Sequence, residues 1–323
     1  MKSKFLFPFL FIFSYSISFA QVKTYQNEAG IQSDNDGFLA QKSDRYYTAG
    51  NFGYYRHALK IADTAKSKLA NKILGFELGQ KIFNPQTGGI PDRIYIDRPF
   101  AGYLYLGTNL NLLYKNESNL KLQARVGMVG QHAFGEEIQD VIHDVIGFYH
   151  PTGWQYQVQD AFQLNLSAEY NRLLTRDNHI DLSLTSHADL GTGITGAGAG
   201  FLVRWGKFNQ LFNSAATNST VSANGNLKPL HDSEFFFYYK PILNVVVYDA
   251  TIQGGLFEKQ AGPDEVLSWP NLFLFTQQVG GSYVKNRWVF DASIVFETRE
   301  TELMSHTGHW GHQWGALSAM YRF

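Results

Sequence analysis

The chain has 323 residues, with 28 acidic side chains against 27 basic and a formal net charge of −1. That balance excludes a protein held to nucleic acid by charge, and zero cysteines exclude a disulfide scaffold. Charged residues make up 17 % of the chain and aromatics 15 %, with 18 Tyr and 26 Phe, an aromatic load suited to a membrane surface rather than to an ordinary soluble domain.

The first predicted element is a leader. Lys2 and Lys4 precede a mostly apolar run from Phe5 to Phe19, and Ser18-Phe19-Ala20 places small residues where export signals are cut. Residues 1–20 therefore read as a signal peptide and 21–323 as one domain. No later run supplies the roughly 20 consecutive apolar residues of a spanning helix. An exported, aromatic-rich chain without such a helix points to an outer-membrane β-barrel, whose apolar residues are spread over alternating strands.

The alternation follows in chain order. Leu74, Phe76, Leu78 and Ile82 oppose Gly75, Glu77, Gly79 and Lys81. Leu104, Leu106, Leu110 and Leu112 share a face; Leu122, Ala124, Val126 and Met128 oppose Lys121, Gln123 and Arg125. Leu164, Leu166 and Ala168 oppose Gln163, Asn165, Ser167 and Glu169, and Tyr321, Ala319, Leu317 and Gly315 end the chain on one face. A period of two with one polar face is the pattern of a wet lumen and a lipid-facing wall. The reading is an all-β, twelve-stranded antiparallel transmembrane β-barrel. Its strands fall near 26–35, 47–58, 72–83, 101–115, 120–130, 160–173, 179–189, 195–206, 234–249, 270–284, 287–299 and 310–323. An even count puts both termini on the periplasmic side and the longer links outside. Gly206 to Ser233, polar and without pattern, is then an unusually long periplasmic connection.

One external link breaks the strand pattern. Gly135 to Gly147, GEEIQDVIHDVIG, reads as a short amphipathic helix. Ile138, Ile142 and Val145 fall on one side, with Val141 at its margin, and Glu136, Gln139 and His143 on another. Two more clusters reach the same rim, Asp34-Asn35-Asp36 and Tyr46-Tyr47-Thr48. Oxygen donors at strand ends suit a hard cation such as calcium. Each also has an ordinary reading: a turn before Gly37, a girdle of interfacial tyrosines, a packed or solvated histidine, and an ion pair for Asp97-Arg98.

Together the segments SDNDGF and SDRYYTAG, IDRPFAGYLYLG, VGMVGQHAFGEEIQDVIHDVIG, GWQYQ and the closing ETRE and Phe resemble the outer-membrane lipid A 3′-O-deacylases, the LpxR-type family. The helix motif of Gly130, Gly135, Glu137, Gln139, His143 and Gly147 carries the resemblance best. It implies a twelve-stranded barrel with a calcium-dependent hydrolase site between the wall and a loop helix at the external leaflet. By that resemblance His143 is the general base, Asn35, Asp36 and Thr48 surround the calcium site, and Gln139 orients water or substrate. Lipid A in the outer membrane is the implied substrate, with nucleic acid excluded. The chemistry is coherent, because histidine accepts a proton near neutral pH and a divalent cation stabilises an oxyanion. Two other readings stay open: an outer-membrane phospholipase or other lipid esterase, and a non-catalytic porin or adhesin barrel.

Overall fold

A computed structural model describes residues 24–323 apart from 41–43, 63–64, 225–227, 258–263 and 307; the expected leader lies outside the described residues. Twelve strands follow one another: β1 (Asn27–Asn35), β2 (Tyr46–Ala58), β3 (Leu69–Asn84), β4 (Ala101–Tyr114), β5 (Ser118–Val129), β6 (Ala161–Arg176), β7 (Ile180–Gly191), β8 (Ile194–Lys207), β9 (Ser233–Asp249), β10 (Phe273–Lys285), β11 (Trp288–Thr298) and β12 (Gly311–Arg322). Each pairs with its neighbour in sequence, and β1 pairs with β12 to close the sheet. Closure leaves no unpaired edge, the condition for strands to stand in hydrocarbon. All twelve expected strands are present. The chain ends meet at one rim, where the backbone N–H of Asn27 donates to Phe323 O at 2.9 Å.

The two faces sort as the alternation requires. Ile31, Leu106, Phe162, Leu164, Leu166 and Leu317 are exposed on the outside of the wall, whereas their neighbours Gln163, Asn165 and Ala316 are buried. A one-residue slip would turn all of these apolar groups into the lumen, so lipid on one side fixes register throughout. The lumen is charged: a cavity of about 310 Å³ is lined by Glu28, Arg56, Glu77, Lys121, Arg125 and Lys240, among others.

The polar stretch after β8 is not a loose loop. It forms 3-10 turns at Leu211–Asn213 and Ala215–Thr217 and folds into the mouth of the barrel at the terminal rim. Asn71 of β3 donates to Val221 O at 2.7 Å, and Asn111 of β4 donates to Thr217 O at 2.9 Å. On the far wall Glu234 of β9 accepts from Asn209 N and Ser214 Oγ, both at 2.7 Å. Phe212 and Val221 pack with Tyr25, Ala58, Ala70, Ile73 and Leu113. Side-chain amides on the walls satisfy the backbone of this segment, so an irregular chain can be buried there without orphaned polar groups. The result is a plug.

Candidate active site

At the opposite rim, β1 runs into a 3-10 turn, Asp36–Leu39. Asn35 starts it by accepting the Gly37 N–H on its side-chain Oδ1 at 2.7 Å, the usual local bond of an asparagine turn. The chain then returns through Asp44 into β2. Asp36 Oδ2 accepts the backbone N–H of Arg45 at 3.1 Å, and its Oδ1 accepts the Thr48 hydroxyl at 3.2 Å.

Thr48 reaches Asp36 because β2 bulges. Tyr47 pairs with Phe83 and Ala49 with Ile82, leaving Thr48 without a partner on β3. A bulge re-aims one side chain and is common beside functional sites. Tyr47 turns into the lumen, where its hydroxyl donates to Asp34 Oδ2 at 2.8 Å and its ring meets Phe83 and Trp314. Tyr46 is fully buried and donates to Asp97 Oδ2 at 2.8 Å. Neither tyrosine belongs to an interfacial girdle; Asp97 accepts from Tyr46 and from Gln86 N, while Arg98 pairs with Glu300. Asp34 is therefore a lumen residue, while Asp36 turns toward Thr48.

The predicted helix is present as α1 (Gly135–Ile146), capped by Gly147 with φ 71°. It lies against the outer side of β3 and β4. Gln80 of β3 donates to the carbonyls of Ala133 and Phe134 at 2.9 and 3.1 Å. Gly135 meets Gly102 of β4 so closely that a Cβ would lie 3.0 Å from Gly102 Cα and 2.7 Å from the Trp154 ring. The helix is packed in an unusual sense. Its buried side carries Gly135, Gln139 and His143, while Val141, Val145 and Ile146 are exposed. Its exposed side also carries Glu136, Glu137 and Asp144, while Ile138 and Ile142 are half-buried, so the helix presents a mixed outer surface.

His143 is held on one side and faces a carboxylate on the other. Its Nδ1–H donates to the Tyr149 carbonyl at 2.5 Å, which leaves Nε2 to face Asp44 Oδ2 at 3.3 Å. Asp44 Oδ1 also receives the Thr48 hydroxyl at 3.4 Å. The groups thus run His143, Asp44, Thr48, Asp36 without a break. The Tyr149 hydroxyl accepts from Gly88 N at 3.0 Å; burial, then the nearby Asp44 carboxylate, pushes the phenol upward. Gln139 Oε1 accepts from Trp154 Nε1 at 3.0 Å, while its Nε2 is buried without a hydrogen-bond partner among the described residues.

Burial pushes the Asp36 carboxyl up to about 7, with the like charge of Asp44 adding to it. Two carboxylates around one hydroxyl, one of them with a buried oxygen that has no hydrogen-bond partner among the described residues, form an all-oxygen donor set. Calcium prefers such donors, so Asp36, Asp44 and Thr48 fit that cation. Of the residues singled out from the sequence, His143, Thr48 and Asp36 converge and Gln139 stands one turn away. Asn35 adjoins Asp36, with its Oδ1 occupied by the turn. The sequence alone did not single out Asp44 or Tyr149. Asp44 lies inside SDRYYTAG, four residues before Thr48, so its place in that segment was the available signal.

Residues 5–323 match the family described as outer membrane protein LpxR. No curated protein matches the chain. Among solved structures, LpxR from Salmonella typhimurium is similar at a TM-score of 0.72 and 21 % identity, covering 92 % of this chain and 100 % of that one. The β domain of the Bordetella autotransporter BrkA has a TM-score of 0.46 at 9 % identity, covering 93 % and 99 %. The translocator domain of NalP from Neisseria meningitidis has 0.41 at 9 %, covering 93 % and 89 %. With almost its full length matched, the chain belongs to the LpxR family of outer-membrane proteins.

Proposed function

We propose that this protein is a calcium-dependent lipid A 3′-O-deacylase, hydrolysing an ester-linked acyl chain at the external leaflet. The observation that carries the reading is the convergence of His143 with Asp44, Thr48 and Asp36 on the outer side of the wall. The exposed Val141, Val145 and Ile146 put apolar surface on the helix that carries His143, which suits an acyl chain more than a water-soluble ester.

In this reading Nε2 of His143 takes a proton from water as its oxygen attacks the acyl carbonyl. The Tyr149 carbonyl holds the tautomer that leaves Nε2 free, and Asp44 faces the imidazolium that forms. The free amide N–H of Gln139 is a donor for the developing oxyanion. Collapse of the tetrahedral species breaks the ester bond, and His143 returns its proton to the departing sugar oxygen. A calcium ion held by Asp36, Asp44 and Thr48 would polarise the carbonyl, an effect worth several kcal/mol. A pore is a poor alternative, because the segment after β8 fills the terminal mouth.

Mass spectrometry of lipid A from cells expressing the protein tests the reading. Loss of one 3′-linked chain supports it. Unchanged lipid A with released phospholipid fatty acids would replace it with a phospholipase.

A further inference from the structure

Inside the wall, away from His143, a second group of ligand-type side chains converges. Glu297 of β11 and His312 of β12 are directly paired across the strands, and both point into the lumen. Glu300, just beyond β11, turns back toward them. One ligand atom from each of the three residues lies within 4.8 Å of the others. The imidazole carries the independent sign of a missing partner: His312 is only 8 % exposed, and neither ring nitrogen has a hydrogen-bond partner among the described residues. Burying both nitrogens of an imidazole unsatisfied is costly, and this one is aimed at two carboxylates.

We propose that Glu297, Glu300 and His312 form a divalent metal site of the zinc class, separate from the catalytic centre. One imidazole nitrogen with two carboxylate oxygens is a common first-row metal donor set that leaves a fourth position open. Calcium, which takes six to eight oxygens, fits it poorly. The neighbouring charges are compatible. Arg98 pairs with Glu300 through Oε2, and a carboxylate has a second oxygen to give. Thr276 donates to Glu297 Oε2 at 2.8 Å and so orients that carboxylate, as outer partners of metal ligands do. The His312 ring stacks on Trp314 and meets Tyr46 edge-on, so a bound ion would brace the start of β2 from inside.

The test is zinc titration of the chelator-stripped, detergent-purified barrel in excess calcium, read by calorimetry and by metal content after gel filtration. One zinc per chain is expected in the wild type and in His143→Ala, and none in His312→Ala or Glu297→Gln. Zinc X-ray absorption should report a single imidazole. Barrel folding of each variant is checked by its heat-dependent gel shift, and if His312→Ala does not fold, Glu297→Gln decides. Equal zinc content in wild type and a folded His312→Ala or Glu297→Gln variant, or no zinc in the wild type, overturns the site; the two glutamates then share a proton instead.

Discussion

Nε2 of His143, on a loop helix, lies 3.3 Å from Oδ2 of Asp44, just before the second strand. That approach joins two segments about a hundred residues apart into one polar track. The same Asp44 receives the Thr48 hydroxyl, which in turn reaches Asp36. Asp44 thus links the His143 imidazole to Thr48 and the Asp36 carboxyl.

Removing either side of this contact should stop hydrolysis without unfolding the barrel. His143→Ala is expected to lower kcat by about 10²–10⁴-fold, the range of general-base catalysis. Asp44→Asn should lower it by a similar order while also weakening cation binding. Deacylation assays beside the heat-dependent gel shift check both, and wild-type turnover by a folded His143→Ala barrel would remove the mechanism.

Calcium dependence should carry a pH signature. Burial raises Asp36 from 3.8 to about 7, so a bound cation must displace its proton below that pH. Apparent calcium affinity should rise about tenfold per pH unit up to roughly 7 and level off above. The sign for stability is the reverse. Because the folded value exceeds the unfolded one, the cation-free protein is favoured at low pH and loses that contribution as the pH rises through about 7. Calorimetric titrations across pH, with Asp36→Asn as the flat control, measure the first effect.

Gly135→Val should separate placement from folding. A Cβ there would sit 2.7 Å from the Trp154 ring and 3.0 Å from Gly102 Cα, pushing α1 off the wall. A displacement near 1 Å costs on the order of 10²-fold in rate. Activity should fall by about that factor with the barrel intact; an unaffected rate would mean the close approach is not needed.

The plug rests on a fully buried Arg204, which pairs with Asp181 at 2.6 Å and donates to Ser214 Oγ at 2.8 Å. Arg204→Ala leaves Asp181 facing Arg176 alone and removes one of the bonds that hold Ser214. Breaking one side of a buried pair costs about 3–5 kcal/mol. Urea unfolding in detergent should shift accordingly, with turnover per folded molecule unchanged, since the site lies at the other rim. An unmoved midpoint would show that the segment is held by its apolar contacts instead.

By itself the sequence determined the barrel, its twelve strands and α1. Lipid outside and water inside impose a period of two on every strand, and Leu164, Leu166, Gln163 and Asn165 show it plainly. The helix was legible because residues 135–146 break that period. Tertiary structure alone decided which side of the helix is buried, because the close approach of Gly135 to Gly102 seats that side against the wall. It also decided that Asp36 turns to the site while Asp34 turns to the lumen. That outcome depends on the strand ending at Asn35 and on the bulge at Thr48, neither of which alternation can reveal. The roles of Asp44 and the plug were hidden for the same reason. Both act through partners far away in the chain, and residue type carries no record of a contact that only closure of the sheet creates.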